Sequence, residues 1–176
     1  MNELARERRT LEIEPLEHMT FEAFGDVIAL PHNGGRTING GTATRYDRIA
    51  RLELTADGGQ PVLDIFHVKP VSLPFECQML ERHPISSQAF VPIGECQFLV
   101  VVAPAEGDSP DASLSRAFIT NGRQGVNYHP GVWHHPILAL GEETDFVMIG
   151  RAEDGYDCDV VSFACGNAIS IPQLGN

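Results

Sequence analysis

Short runs of alternating hydrophobic and polar residues follow one another along this chain, and glycine and proline separate the runs. A period of two residues is typical of β-strands that bury one face. We therefore predict strands at residues 62–68, 75–80, 88–92, 97–103, 116–120, 124–129, 137–140, 144–149 and 160–163. Many short strands at near-regular spacing indicate an all-β barrel or sandwich.

Two segments depart from this alternation. Residues 98–103 are apolar throughout, which predicts a strand that is buried on both faces. Near the start of the chain, Phe21 and Phe24 are three residues apart, the spacing of one helix face. We predict a short helix there, with Thr20 as its N-cap and Gly25 at its end.

Length and composition fit one ordinary globular domain. The chain has 176 residues, of which 43% are hydrophobic and 20% are charged. Residues 1–10 are rich in charge, and we expect them to form an N-terminal arm. No linker divides the remainder, so residues 11–176 are expected to form a single domain. The longest apolar run has six residues, too few for a membrane-spanning helix.

Charge and cysteine usage exclude several functions. The 12 Lys and Arg against 24 Asp and Glu give a net charge of −12, which argues against nucleic acid and anionic membranes as partners. Lys69 lies in no glycine-rich motif, which excludes a P-loop site, and we interpret it as a surface residue rather than a Schiff-base lysine. Without a C-x-x-C motif or a secretory signal, we expect a cytoplasmic protein with reduced cysteines.

Two segments concentrate the residues that carry chemistry. They are residues 80–92, LERHPISSQAFVP, and residues 122–136, GRQGVNYHPGVWHHP. Four of the seven histidines and the one tryptophan lie in these two segments. This concentration predicts that both segments contribute to one functional site.

The spacing within these segments resembles the two motifs of the cupin barrel, H-x-H-x(3–4)-E-x(6)-G and P-x-G-x-x-H. Glu81-x-His83-x(4)-Gln88 resembles the first motif with two substitutions, and residues 129–134 resemble the second with His in place of Pro. Residues two apart on a strand face the same way, so Glu81 and His83 are both expected to reach the barrel interior. The resemblance implies a cupin-like antiparallel β-barrel of the jelly-roll type, with one or a few short helices.

A metal site is one interpretation of this resemblance. Glu81, His83, Gln88 and His134 together offer a carboxylate, two imidazoles and an amide, a suitable ligand set for a divalent first-row metal. Because a neutral amide is a weak ligand, the alternative is a polar cluster that binds substrate directly through hydrogen bonds. His135 follows His134 and is expected to face away from the site.

Longer stretches are similar to the ureidoglycolate lyase family. The similarity covers residues 80–92 and 122–136, together with Arg45-Tyr46 after an Ile-Asn-Gly segment, and it extends over about residues 11–165. It implies an enzyme of purine-nitrogen breakdown that splits ureidoglycolate into glyoxylate and urea. It also implies a homodimer and an associated divalent ion, nickel or a similar metal.

The family's reaction assigns roles to the candidate residues. Elimination of urea needs a base for the hydroxyl proton and an acid or a metal to help the leaving group. Glu81, His83 and His134 are the catalytic candidates. The substrate carboxylate needs a cation, and Arg45 is the candidate. The other candidate substrate-binding residues are Tyr46, Gln88, Tyr128, His129 and Trp133, although Tyr128 and Trp133 are equally consistent with core positions.

Two residues depart from the family's pattern. His67 stands where the family has an arginine, and Gly150 stands where it has an acidic residue. These departures leave two alternatives open, an enzyme of the same fold that acts on a related ureido or 2-hydroxy acid, and a cupin that binds a small molecule without turnover.

Overall fold

Short β-strands make up most of the structure, a computed structural model that describes residues 9–152, 157–163 and 168–175. In chain order the strands are β1 (Arg9–Thr10), β2 (Ile13–Pro15), β3 (Gly25–Ile28), β4 (Arg36–Ile38), β5 (Ala43–Arg45), β6 (Pro61–Val68), β7 (Phe75–Cys77), β8 (Met79–Arg82), β9 (Gln88–Pro92), β10 (Phe98–Ala103), β11 (Ala105–Glu106), β12 (Ser109–Pro110), β13 (Arg116–Ile119), β14 (Gly125–Tyr128), β15 (Trp133–His134), β16 (Leu138–Ala139), β17 (Thr144–Arg151), β18 (Asp159–Ser162) and β19 (Ile169–Ile171). The helices are α1 (His18–Phe21) and three 3-10 turns (Asn39–Gly41, Ala56–Gly58 and Ala112–Leu114).

Two main sheets form the body of the molecule. A five-stranded sheet has the order β3-β14-β9-β17-β6, and a seven-stranded sheet has the order β18-β8-β15-β10-β13-β2, with β16 beside β10. A three-stranded sheet, β1-β19-β7, lies outside the seven-stranded sheet, and β4 and β5 form a separate hairpin. The predicted all-β fold with a few short helices is therefore confirmed. Among the described residues, no helix has the length and hydrophobicity needed to cross a membrane.

Strand β10 joins the two hydrophobic cores of the molecule. Phe98 and Val100 point into the core between the two main sheets, where the Phe98 ring meets Phe146 edge-on with centroids 5.2 Å apart. Leu99 and Val101 point into a second core, shared with β7 and β19. The prediction that this strand is buried on both faces is confirmed, because every residue of β10 is buried.

The first 25 residues differ from the sequence prediction in two places. The helix starts after Glu17, and Thr20 lies inside it, where its hydroxyl donates to the Glu17 carbonyl at 3.2 Å, so the N-cap prediction was wrong. Gly25 begins β3 instead of ending the helix. Residues Arg9 and Thr10 of the expected arm pair in parallel with β19, and residues 1–8 lie outside the described part of the chain.

Candidate active site

A cavity of about 610 Å³ opens between the two main sheets. Strands β6 and β17 of the five-stranded sheet supply Phe66 and Met148 to its apolar side. Glu81 on β8 of the seven-stranded sheet and His83 just after that strand supply its polar side, and Gln88 at the start of β9 also lines it. Three of the four residues of the predicted cluster, Glu81, His83 and Gln88, therefore line this cavity.

The fourth residue, His134, completes the cluster. On β15 it lies directly opposite Glu81 on β8, and its Nε2 is 3.6 Å from Glu81 Oε1. His83 follows the last residue of β8, and its ligand atom lies within 4.8 Å of those of Glu81 and His134. Gln88 Oε1 is 3.2 Å from His134 Nε2. The structure thus brings one carboxylate, two imidazoles and one amide to a single point.

Backbone carbonyls fix the tautomers of both histidines. His83 Nδ1 lies 2.6 Å from the Asp157 carbonyl, and His134 Nδ1 lies 2.9 Å from the Val132 carbonyl. In the neutral rings each Nδ1 therefore carries the proton and each Nε2 presents a lone pair to the cluster. A carbonyl partner on the far side of the ring is the usual arrangement of metal-ligating histidines.

The donor set fits a divalent cation. His83 Nε2 is buried, and the described residues offer it no hydrogen-bond partner. Two imidazole lone pairs, the Glu81 carboxylate and the Gln88 carbonyl oxygen converge, and four acceptors at one point repel one another without a cation. Nitrogen and oxygen ligands of this kind suit a first-row divalent metal. The cluster can therefore hold a metal ion.

Glu81 is ionised in this environment. Burial raises the pKa of its carboxyl, but when the imidazoles are protonated, the hydrogen bond and positive charge of His134 and the positive charge of His83 outweigh burial and lower it below its ordinary value. At neutral pH the residue is thus a carboxylate, available as a metal ligand or as a base.

Neighbouring side chains hold the cluster in place. The Tyr128 ring stacks on the His134 ring with centroids 4.0 Å apart, and burial raises the pKa of its phenol, which stays protonated. The Asp157 carboxylate accepts from the Ile85 amide at 2.8 Å and from the Ser86 hydroxyl at 2.5 Å. Both contacts restrict the loop that follows His83.

Four candidate residues lie away from the cavity. Arg45 is the last residue of the β4–β5 hairpin, and Tyr46 follows it. The Arg45 guanidinium pairs with the Asp47 carboxylate at 2.5 Å. His129 is half-exposed, with Nε2 at 3.6 Å from an Asp26 carboxylate oxygen. Trp133 is fully buried in the second core.

Trp133 and His135 are buried and do not line the cavity that holds Glu81. The Arg82 guanidinium lies 4.8 Å from the centre of the Trp133 ring and donates to Asp159 at 2.7 Å. His135, the residue after β15, packs edge-on against Phe75 with ring centroids 5.5 Å apart. Strand alternation explains both positions, because His134 is the residue between them that faces the cavity.

Comparison with known proteins identifies the family. Residues 8–170 match the family model described as ureidoglycolate lyase. The chain belongs to the ureidoglycolate lyase family. Curated relatives named ureidoglycolate lyase include those of Burkholderia mallei (51% identical over 147 residues, 84% of this chain and 85% of the relative) and Pseudomonas aeruginosa (47% over 151 residues, 86% and 89%). A solved 3,4-ketoisomerase from Helicobacter canadensis has a TM-score of 0.38 and 10% identity, covering 74% of this chain and 84% of that one.

The two departures from the ureidoglycolate lyase pattern have different positions. His67 is on the outer face of β6, exposed, and pairs with Asp145 at 2.7 Å and Glu143 at 3.2 Å. It does not line the cavity. Gly150 does line the cavity, where a Cβ would lie 2.8 Å from Met148 Sδ. Of the two, only Gly150 changes the space that a substrate meets.

Sequence reasoning missed several cavity residues of this family member. Asp64, Ser86, Arg151 and Asp157 all line the cavity. Ser86 and Asp157 lie in loops, which carry no periodic signal. Asp64 is one polar residue in an alternating strand, and Arg151 lies at the end of a strand, next to Gly150, with no motif of its own. Their joint position depends on strand pairing between distant segments.

Proposed function

We infer that this protein is a ureidoglycolate lyase, which cleaves ureidoglycolate into glyoxylate and urea. The observation that carries this inference is the convergence of Glu81, His83, Gln88 and His134 in one cavity of a chain that belongs to this family. An ionised carboxylate beside two oriented imidazoles can move a proton between two atoms of a bound substrate.

The reaction is an elimination from a hemiaminal. One carbon of ureidoglycolate carries a hydroxyl group, a carboxylate and the ureido nitrogen. The O–H bond breaks and its electrons form the carbonyl of glyoxylate, while the C–N bond breaks and its electron pair stays with the nitrogen. That nitrogen takes up one proton to leave as urea, so no water or other reactant is consumed.

Glu81 is the base in this proposal. Its lowered pKa keeps it ionised, so it can accept the hydroxyl proton of the substrate. When no metal occupies the cluster, His134, whose Nε2 lies 3.6 Å from the carboxylate, can help return that proton to the leaving nitrogen. Tyr128 and the Val132 carbonyl hold the His134 ring in the orientation that this transfer needs.

We propose that Glu81, His83, Gln88 and His134 hold a divalent metal, with Ni²⁺ as the candidate. The unpartnered Nε2 of His83 supports this assignment. A divalent cation, when bound, supplies Lewis acidity that stabilises the negative charge on oxygen. The side chains keep their own roles: the two imidazoles are oriented by carbonyls, and Gln88 contributes a neutral oxygen.

We also propose a cytoplasmic homodimer. Cys77 and Cys96 are buried thiols, as expected in a reducing compartment. The dimer is supported by exposed aliphatic residues on one sheet, which are described below. A small-molecule substrate is the partner that a cavity of about 610 Å³ fits.

The test is product release from each enantiomer of ureidoglycolate, with added Ni²⁺ and after treatment with a chelator. We expect glyoxylate and urea to appear together with one enantiomer or both, and the chelator to abolish the release. Absence of turnover with both enantiomers in the metal-loaded protein would contradict the proposed function.

A further inference from the structure

An aliphatic patch lies on the outer face of the five-stranded sheet. It consists of Leu63 and Ile65 on β6, Val147 and Ile149 on β17, and Val91 on β9. The strand register places Ile65, Val147 and Val91 side by side. Leu63 is 63% exposed and Ile65 is 54% exposed. Contiguous apolar surface of this kind marks an interaction site.

Strand β6 connects the aliphatic patch to the cavity. Leu63 and Ile65 belong to the patch, whereas the alternate residues Val62, Asp64 and Phe66 line the cavity. In the described part of the chain, β6 is the last strand of its sheet and pairs only with β17. A molecule that covers the patch therefore lies next to the cavity, across one edge strand.

The β4–β5 hairpin presents arginines to the outside. None of the residues 28–53 is buried, and the structure describes all of them. The side chains of Arg36 and Arg45 are 64% and 61% exposed, and both pair with Asp47, at 3.9 and 2.5 Å. Exposed ion pairs contribute little stability, so Arg45 can exchange Asp47 for another carboxylate.

The cavity itself lacks an arginine that is free to bind the substrate. Asp64, Glu81 and Asp157 line it, and Arg151 is the one arginine among its described residues. Both terminal nitrogens of Arg151 donate to the backbone carbonyls of residues 56 and 57. An anionic substrate needs a guanidinium fork that is not already occupied. The acidic cavity and the arginine-bearing hairpin are complementary in charge, and a second copy of the chain supplies both.

We propose that two copies of this chain pair across the aliphatic patch, and that the β4–β5 hairpin of each copy places Arg45 at the other copy's cavity, where it binds the substrate carboxylate. The inference rests on the proposed lyase function, because it names the group that holds that substrate. A two-fold axis makes the contact reciprocal, so one interface completes both cavities.

The decisive experiment is a mixed dimer with one defect in each chain. One chain carries Arg45→Ala and the other carries Glu81→Gln, and two different affinity tags isolate the mixed dimer. If Arg45 acts on the other copy, one cavity has both an intact Glu81 and an intact Arg45, so the mixed dimer retains about half of the wild-type activity. If Arg45 acts within its own chain, both cavities are defective, and at substrate concentrations below the wild-type KM the mixed dimer keeps about a tenth or less of the activity of one intact cavity, which would overturn the proposal.

Two controls define the result. A mixed dimer of Glu81→Gln with His134→Ala must be inactive, because both residues belong to the same cavity and each cavity keeps one defect. Arg45→Ala alone must raise KM about tenfold or more, whereas Arg123→Ala, at another exposed arginine paired with Glu95, must leave activity unchanged. Full activity of Arg45→Ala would also overturn the proposal.

The interface is tested separately from catalysis. Ile65→Lys places a charge in the aliphatic patch without touching the cavity, and we expect light scattering to change from twice the 19.2 kDa chain mass to the chain mass. An Ile65→Lys protein that remains a dimer with full activity would contradict the proposed interface. Failure of the wild-type protein to cleave ureidoglycolate would instead contradict the lyase function, so the two failures are distinguishable.

Discussion

Glu81 is the residue on which the chemistry depends most directly. We predict that Glu81→Gln keeps the fold, because the amide is nearly isosteric with the carboxylate, and lowers kcat about 10²-fold or more through loss of the base. Steady-state kinetics and circular dichroism measure the two effects. A Glu81→Gln protein with wild-type kcat would remove Glu81 from the mechanism.

His83 tests the metal site at the same scale. Its Nε2 is buried and, within the described chain, has no hydrogen-bond partner, so we expect His83→Ala to weaken Ni²⁺ binding about 10–100-fold. Titration calorimetry of the chelator-treated protein measures this directly. His18→Ala, at an exposed histidine in α1, is the matched control and should bind Ni²⁺ like the wild type. Equal affinity of the two variants would exclude His83 as a ligand.

The four clustered residues could be predicted from the sequence because each lies in a recognisable motif. Glu81 and His83 are two apart, and His134 ends the second motif. Arg45 and Trp133 were harder to place, because a motif does not specify which face of an element meets the cavity. Asp157 could not be predicted, since its position depends on a loop that returns to His83 from 74 residues further along the chain.

At the scale of elements, β3 depends on a glycine. A Cβ at Gly25 would lie 2.0 Å from the Asn127 carbonyl oxygen of β14. We predict that Gly25→Ala separates the two strands and lowers the free energy of unfolding by about 1–3 kcal/mol. Urea denaturation measures this, with Gly175→Ala as the control, because that position has open space. Equal free energies of unfolding for the Gly25→Ala and Gly175→Ala proteins would contradict this prediction.

The β6–β17 edge should respond to pH through His67. Its hydrogen bonds to Asp145 and then to Glu143 raise the pKa of His67 above the ordinary 6.5. A raised folded-state pKa adds stability below the unfolded-state pKa, and this stability is lost as the pH rises through the folded-state pKa. We therefore expect His67→Gln to lower the urea midpoint at about pH 5.5 and to leave it unchanged at about pH 9. An equal difference in urea midpoint between the wild type and His67→Gln at both pH values would contradict this explanation.

Element boundaries could be predicted where the pattern was long enough. The strand at residues 88–92 was predicted with the bounds that the structure has, and the predicted 97–103 strand begins one residue later. The predicted 75–80 strand divides at Gln78 into β7 and β8, which belong to different sheets. Strands of two to four residues, such as β3 and β19, are too short to establish a period, and their pairing with distant strands stabilises them.

At the scale of the whole molecule, the two-sheet architecture explains why the site forms where it does. The seven-stranded sheet contributes Glu81 and His134, and the five-stranded sheet contributes Gln88. The sequence predicted this fold class from its strand spacing and its motif resemblance. Periodicity did not predict the exposed aliphatic face of β6. A strand whose apolar side packs on the core and one whose apolar side is covered by a second molecule have the same alternating sequence pattern.

The central claim is that this cavity eliminates urea from ureidoglycolate, and the nitrogen product tests it most directly. The metal-loaded protein should release urea and glyoxylate in equal amounts, without ammonia, because elimination breaks only the bond between the hemiaminal carbon and the ureido nitrogen. Urea and ammonia are quantified in parallel with glyoxylate during one time course. Ammonia as the nitrogen product would mean that the ureido group is hydrolysed instead, and it would contradict the assignment of this protein as a lyase.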